Sequence, residues 1–370
     1  MKYYIIAGEA SGDLHASNLM KQLKAKDENA VFRGCGGDLM QEQGLDIFKH
    51  YKTMDYMGFA EVIVHLREIL SNIKATKEDI LKFNPDVVIL VDYPGFNLRI
   101  AEFSKKKNIK TFYYISPQIW AWKRKRVYKI KRDVDKMFVV LPFVQDFYKT
   151  YDCDVDYVGH PLLDAVESFK NKGEAETVIQ KTKEKLVLLL PGSRKQEVSR
   201  ILPQMAKLTT AFPDCQFVIA GVKSLGEEYY NAFLEGKDIP VIFGKTYNLL
   251  TQADAAVVTS GTASLETALF NVPQEVCYTT SAFSYRIAKM LIGNRIKYIS
   301  LPNLIMDKAI VKELIQKDMS YDAMKTELES ILYNEEKRSS MFADYTILAE
   351  KLGGSGASER TAELMWKYLN

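Results

Sequence analysis

The chain has 370 residues, 47% of them hydrophobic and 26% charged, with a net charge of +3. That length is too great for one ordinary core and fits two domains; the composition excludes a disordered chain, and the charge is too small to predict a nucleic-acid binder. Cys35, Cys153, Cys215 and Cys277 lie far apart with no CxxC pair, as expected of free thiols in a reducing cytoplasm. The N-terminus runs straight into a strand without a basic leader and cleavage site, and no apolar run approaches 18 residues, so neither a membrane span nor export by the standard signal is expected.

In chain order, YYIIAGEASGDLHASNLMKQLKAK predicts a strand ending at Ala7, a loop from Gly8 to Gly12, and a helix with Leu14, Leu19 and Leu23 on its apolar stripe and Asp13 as its cap. GEASGD is not GxGxxG, and the second strand, Val31-Phe32-Arg33, enters a run of glycines without the acidic residue that would hold a cofactor ribose. A nicotinamide cofactor is therefore not expected. Glu9, Ser11 and Asp13 are candidates to line a crevice at the carboxyl end of the first strand, against the alternative that they serve only as turn and cap residues.

Residues 54–70, MDYMGFAEVIVHLREIL, carry more apolar side chains than one buried helix face needs: Met57, Phe59, Val62, Ile63, Leu66, Ile69 and Leu70. Most belong to a core, and the surplus suits a partly exposed wall for an apolar ligand. His15, His50, His65 and His160 are each isolated in sequence, which speaks against a histidine metal site. Val87 to Val91 read as a buried strand with Asp92 at its carboxyl end before the Pro94-Gly95 turn. A carboxylate there is either a general base facing the ligand crevice or the cap of the next helix.

The segment WAWKRKRVYKIKR, 120–132, packs seven Lys or Arg behind Trp120 and Trp122. A solvated helix face is the ordinary interpretation. Aromatic rings beside Lys123, Arg124 and Arg126 also suit an anionic membrane surface, and the small net charge disfavours nucleic acid. Alternating aspartates from Asp152 to Asp156 read as a polar strand in preference to an ion site. Glu167 to Lys185, charged and poor in apolar residues, is the linker candidate.

Alternation of strands and helices resumes with LVLLLPGSRKQEVSR, 186–200. A buried strand, the small-residue turn Pro191-Gly192-Ser193 and a helix start with Arg194 suit a phosphate or diphosphate. A later strand, Ala255 to Val258, enters Thr259-Ser260-Gly261-Thr262, where hydroxyls, glycine and a helix start converge again, with Glu266 one turn further on. Two such starts can grip the two phosphates of a nucleotide diphosphate. Glu266 can accept ribose hydroxyls, and Phe243 or Tyr247 can flank the base.

GEASGD (8–13), MGFAEV (57–62), PDVVILVDYPGFN (85–97), SPQIWAWKRKR (116–126), YVGHPLLD (157–164), LLPGSRKQEV (189–198), SGTASLETAL (260–269), LPNLI (301–305) and ELIQ (313–316) together resemble the lipid-A-disaccharide synthase family over nearly the whole chain. The resemblance implies two Rossmann-like parallel-sheet α/β domains facing a central cleft, the B-type glycosyltransferase fold. It places residues 1–166 with about 340–370 in the acceptor-side domain, 185–339 in the UDP-sugar domain, and 167–184 in the linker. The implied reaction transfers diacylglucosamine from UDP-2,3-diacylglucosamine to 2,3-diacylglucosamine 1-phosphate with inversion, giving the β-1,6 disaccharide. UDP is substrate moiety and product, and no metal or other cofactor is expected.

Asp92 falls on the family's catalytic aspartate. Gly192, Ser193, Arg194, Phe243, Ser260, Gly261, Thr262, Glu266, Asn303 and Gln316 go to the donor side, and Glu9, Ser11, Gly12 and Asp13 to the acceptor side. Met57, Phe59, Val62, Trp120, Trp122, Lys123, Arg124 and Arg126 would contact acyl chains or the cytoplasmic face of the inner membrane, peripherally, with residues 283–300 as a second such element. The resemblance leaves room for a homodimer. Two rivals are a UDP-sugar epimerase of the same architecture and a non-catalytic sugar-nucleotide or lipid-binding protein. Two local departures stand out: an acid at Glu275 inside a predicted buried strand, and Met306-Asp307 where smaller residues are usual.

Overall fold

The computed structural model describes residues 1–54, 65–173, 175–281, 285–286, 289–290, 293 and 296–370. Two compact units divide the chain: Met1–Asp164 with Ser355–Asn370, and Ala165–Gly354. The residues expected to form a linker thus fold with the second unit, and the return to the first comes at Ser355, not near 340. Among the described residues, the MGFAEV string and much of 283–300 are not represented, so Met57, Phe59 and Val62 lie outside the described part.

The first unit is built on β1 (Lys2–Ala7), β2 (Val31–Gly36), β3 (Leu45–His50), β4 (Val87–Val91), β5 (Lys110–Tyr114), β6 (Lys136–Val139) and β7 (Asp156–Tyr157). They form a parallel sheet in the order β3-β2-β1-β4-β5-β6-β7. Helices α1 (Ala10–Lys26), α2 (Asp38–Glu42), α3 (Leu66–Phe83), α4 (Pro94–Lys106), α5 (Arg126–Asp133) and α6 (Pro142–Lys149) connect them. Tyr3 to Ala7 and Val87 to Val91 are wholly buried, as central parallel strands covered on both faces must be. Helix α7 (Pro161–Asn171) carries the chain into the second unit.

The second unit pairs β8 (Lys185–Leu190), β9 (Cys215–Gly221), β10 (Val241–Phe243), β11 (Ala255–Thr259), β12 (Gln274–Tyr278) and β13 (Lys312–Ile315) in the parallel order β10-β9-β8-β11-β12-β13. Its helices are α8 (Lys195–Ala211), α9 (Glu227–Asn231), α10 (Thr246–Gln252), α11 (Thr262–Leu269), α12 (Leu301–Met306), α13 (Tyr321–Tyr333) and α14 (Glu335–Lys351). The last helix, α15 (Ala357–Leu369), packs on α1 in the first unit. Asp164 holds its start by accepting from the amides of Gly356 at 2.6 Å and of Ala357 and Ser358 at 3.1 Å.

Several local expectations change. Helix α1 begins at Ala10, so Gly12 and Asp13 lie in its first turns and the loop after β1 shrinks to Gly8-Glu9. Asp13 caps a different helix: its buried carboxylate accepts from the amides of Gly37 (2.7 Å), Leu39 (3.1 Å) and Met40 (3.2 Å) at the start of α2. Glu275 does sit in the middle of a buried strand, fully covered and with neither oxygen hydrogen-bonded. Asp307 ends α12 in the left-handed conformation (φ 47°), which explains why a smaller residue suits that position.

Candidate active site

At the carboxyl edge of the first sheet, Ala7 and Val91 are in register, so Glu9 and Asp92 emerge from adjacent strand ends. Asp92 and Tyr93 are both left-handed, with φ of 43° and 45°. That conformation costs a non-glycine residue about 1–2 kcal/mol and persists only where the surroundings hold it. Here they do. The Asp92 N–H donates to the Tyr114 carbonyl at 3.1 Å. Its carbonyl accepts from the buried Asn97 amide at 2.8 Å and from the Tyr113 hydroxyl. The Asn97 amide also reaches the Val91 carbonyl at 3.2 Å. Tyr93 is pinned by its hydroxyl on the Met54 carbonyl (2.6 Å), and its ring lies so close over Gly8 that a Cβ there would meet it at 2.3 Å.

Asp92 is therefore fixed through its backbone while its carboxyl stays half-buried beside Glu9. Burial foremost, and then the Glu9 carboxylate, raise the Asp92 pKa to about 7 against a weaker pull from the Tyr93 amide. A carboxylate so placed is a base poised near neutrality. The Ser11 hydroxyl donates to Glu9 at 3.2 Å and keeps that carboxylate at the edge. Asp13, engaged by three amides, orders the neighbouring loop and has a structural duty instead of the acceptor-side one expected.

Farther along the same sheet, Trp122 is 42% exposed, with the Lys123 ammonium 4.1 Å from its ring centre. Trp120 packs edge-on against Phe143, and Arg124 turns back to the Trp120 carbonyl at 3.2 Å. Arg126 departs from the expected membrane-facing run: it is half-buried, near Tyr113 and Arg99. His15 and His160, isolated in sequence, are neighbours in space, and burial pushes them down to about 4 and about 3. Among the described residues, no three His, Cys, Asp or Glu side chains gather in a metal-ligating group.

At the carboxyl edge of the second sheet the PGSR turn holds a surprise. Gly192 has φ 107°, and a Cβ there would lie 2.6 Å from the Glu197 carboxylate. Glu197 folds back onto the turn, accepting from the amides of Ser193 (3.1 Å) and Arg194 (3.3 Å). The Ser193 and Arg194 amides of the turn assigned to a bound anion thus already hold a carboxylate from within the chain. What the turn offers outward is the Arg194 guanidinium, 60% exposed, which also reaches the Glu197 carboxylate at 3.4 Å.

The other helix start is open: Gly261 and Thr262 are exposed, no side chain caps α11, and a Cβ on Gly261 would meet nothing. Ser260 is turned aside, its hydroxyl on the Ile299 carbonyl at 3.1 Å. Glu266 borders a cavity of about 580 Å³ shared with Phe169, Glu176, Lys245, Tyr247 and Asn248. The Tyr247 hydroxyl donates to Glu266 at 2.7 Å. Burial raises the Glu266 pKa and this bond partly offsets it. Of the two aromatic candidates Tyr247 lines the cavity, whereas Phe243 packs on Tyr230 and over Gly221.

Asn303 is a correction. It is buried, its amide donates to the Val311 carbonyl and to Glu313 (both 2.9 Å), and its oxygen accepts from the Ile310 (2.8 Å) and Val311 (3.0 Å) amides. No donor remains for a ligand. Its partner Glu313, which sequence reasoning missed, also accepts from the Ser300 amide and hydroxyl at 2.9 and 2.6 Å and so anchors the start of α12. Gln316 accepts from the Thr279 hydroxyl at 3.4 Å, and with its amide turned over it would pair with the Thr280 backbone at 3.2 and 2.9 Å. Only the spacing of ELIQ after LPNLI hinted at this lattice.

Two parallel-sheet units with open carboxyl edges define a class of fold that solved structures share. UDP-GlcNAc 2-epimerase from Neisseria meningitidis bound to UDP-GlcNAc is similar with a TM-score of 0.67 at 13% identity, over 99% of this chain and 100% of that one. The glycotransferase of kitacinnamycin is similar with a TM-score of 0.67 at 13% identity, over 100% and 99%. That likeness defines a two-domain α/β architecture common to glycosyltransferases and epimerases.

Sequence similarity is narrower. The family described as lipid-A-disaccharide synthetase matches residues 3–365. The lipid-A-disaccharide synthase of Syntrophus aciditrophicus is 40% identical over 366 residues, 97% of this chain and 95% of that one. The synthase of Trichlorobacter lovleyi is 37% identical over 368 residues, 98% and 96%. This chain belongs to the lipid-A-disaccharide synthase family, and it is a glycosyltransferase of lipid A biosynthesis.

Proposed function

We propose that the protein condenses UDP-2,3-diacylglucosamine with 2,3-diacylglucosamine 1-phosphate, forming the β-1,6 disaccharide 1-phosphate and UDP. The observation that carries this is Asp92, aimed by a strained strand-end turn and lifted to about 7 beside Glu9. As general base it takes the proton of the acceptor 6-hydroxyl while that oxygen attacks the anomeric carbon with inversion and the bond to UDP breaks. Arg194 and the uncapped start of α11 meet the charge developing on the departing diphosphate, without a metal. Glu266 and Tyr247 take the nucleoside in their cavity.

Docking is peripheral, at the cytoplasmic face of the inner membrane, with exposed Leu66, Leu70, Trp122 and Tyr128 as apolar contacts. No helix among the described residues is long and apolar enough to cross a membrane. The test incubates the protein with both lipids, dispersed in detergent with EDTA, and follows disaccharide by mass spectrometry. Product from the wild type and none from Asp92→Asn is expected. No product from the wild type contradicts the reaction.

A further inference from the structure

We propose that Arg126, Arg99 and Lys123 form a binding site for a phosphate monoester, the 1-phosphate of the acceptor sugar. This rests on the acceptor chemistry given above. Arg99 lies on α4 and Arg126 opens α5, two helices that pack together. Lys123 is joined to them by its carbonyl, which accepts the Arg126 amide at 2.8 Å, and its own backbone is left-handed (φ 50°).

The three cations lack what their neighbours have. On the same helices Lys105 ends on Asp135 at 2.8 Å, Lys106 on Glu102 at 2.8 Å and Arg132 on Asp133 at 2.6 Å. Among the described residues, Arg126, Arg99 and Lys123 end on no carboxylate. Arg126 is half-buried nonetheless, and burial foremost, with Arg99, lowers its pKa against an opposing pull from Tyr113, as burial and Arg126 lower that of Lys123. Of the three only Arg126 is drawn partly out of water, and a half-buried charge beside like charges without a counter-charge is unfavourable until an anion joins them. A planar guanidinium matches a phosphate with two parallel hydrogen bonds, and Lys123 adds a point charge.

Position selects the anion. Arg126 lies within electrostatic reach of the Tyr113 phenol, and that hydroxyl donates to the Asp92 carbonyl. In a hexopyranose the 6-hydroxyl is carried from C5 and the 1-phosphate from C1, the two carbons that flank the ring oxygen, so the two groups lie within one sugar's width of each other. An acceptor with its hydroxyl at Asp92 therefore holds its phosphate within one sugar's width of that carboxylate, and the cations beside Tyr113 are there to receive it. Anionic lipid headgroups share the same phosphate chemistry, so the test separates the two.

Arg126→Gln is assayed with 2,3-diacylglucosamine 1-phosphate and with the same acceptor lacking the phosphate. The expected loss is at least tenfold in KM for the phosphorylated acceptor, falling on that KM and not on kcat or donor KM, with wild type and variant alike on the other acceptor; Arg126→Lys restores part of it. Binding of soluble glucosamine 1-phosphate against glucosamine, by saturation-transfer NMR, reads the site without turnover. Phosphate-dependent binding by the wild type that Arg126→Gln loses supports the site even if the reaction proves different. Lys123→Gln, at an exposed position, gives a smaller loss of the same kind and serves if Arg126→Gln fails to fold. Equal losses on both acceptors, undiminished glucosamine 1-phosphate binding in the variants, or loss only of sedimentation with phosphatidylglycerol vesicles would overturn the assignment.

Discussion

The carboxyl edges of the two sheets solve different problems. Around Asp92 the chain is closed: two consecutive left-handed residues are held by Asn97, Tyr113 and the Tyr114 carbonyl, and Tyr93 packs tightly over Gly8. Around Gly261 it is open, with exposed amides, no cap and room for a Cβ. A base must be aimed before its proton arrives, and rigidity supplies that; a diphosphate is large and charged, so exposed amides and a long arginine suffice. Carboxylates divide the same way. Asp13, Asp164, Glu197 and Glu313 are engaged by amides and organise loops, whereas Asp92, Glu9 and Glu266 keep oxygens turned to the edge or to a cavity.

Removing the base should break the closed edge most severely: Asp92→Asn should lower kcat by about 10²–10⁴-fold with UDP affinity unchanged, read by initial rates and calorimetry. At the open edge the loss should fall on binding instead. Glu266→Ala should weaken UDP roughly tenfold or more by calorimetry, the usual effect of losing a charge-assisted hydrogen bond. The rigidity of the elbow is tested by Tyr113→Phe, which removes one O–H from the Asp92 carbonyl. We expect kcat to fall roughly threefold to tenfold with both KM values nearly constant, whereas matching falls in kcat and melting temperature would indicate a general packing role.

Two smaller effects concern stability. Burial foremost, and then Glu327, raise the Glu275 pKa well above its ordinary value, opposed by Lys337. Below the unfolded carboxyl range the group is neutral in both states and adds no ionisation cost; as pH rises from there through the raised folded value, stability is lost. Glu275→Met should therefore be increasingly more stable than the wild type as pH rises, by about 1–3 kcal/mol at the alkaline end, in denaturant titrations at several pH values. Asp307→Gly, relieving a left-handed residue, should stabilise by about 0.5–1 kcal/mol in the same assay.

Much of this was legible in sequence because parallel strands are near-continuous apolar runs and their edges are marked by small or acidic residues. Val87 to Val91 with Asp92, Leu186 to Leu190 with Gly192, and Ala255 to Val258 with Gly261 all lie where their pattern puts them. Side-chain destinations were not legible. Nothing local shows that Asp13 reaches Gly37–Met40, that Asn303 is absorbed by Ile310–Glu313, or that Arg126 turns toward Tyr113 within a run of surface cations. Glu197 lies one turn past the expected anion site, and a carboxylate at the third helical position is where a capping box places it. Unit boundaries shifted for a similar reason: α14 packs on α12 in the second unit, a tertiary contact with no sequence marker.

The role of Asp92 is tested most directly by the pH dependence of kcat/KM in the wild type and in Glu9→Gln. Asp92 must be ionised to act, and Glu9 helps raise its pKa, so activity should climb with pH through an apparent pKa of about 7. In Glu9→Gln that limb should move to lower pH. A limb near 4 in the wild type, or one unmoved by Glu9→Gln, would contradict the assignment of Asp92 as the base.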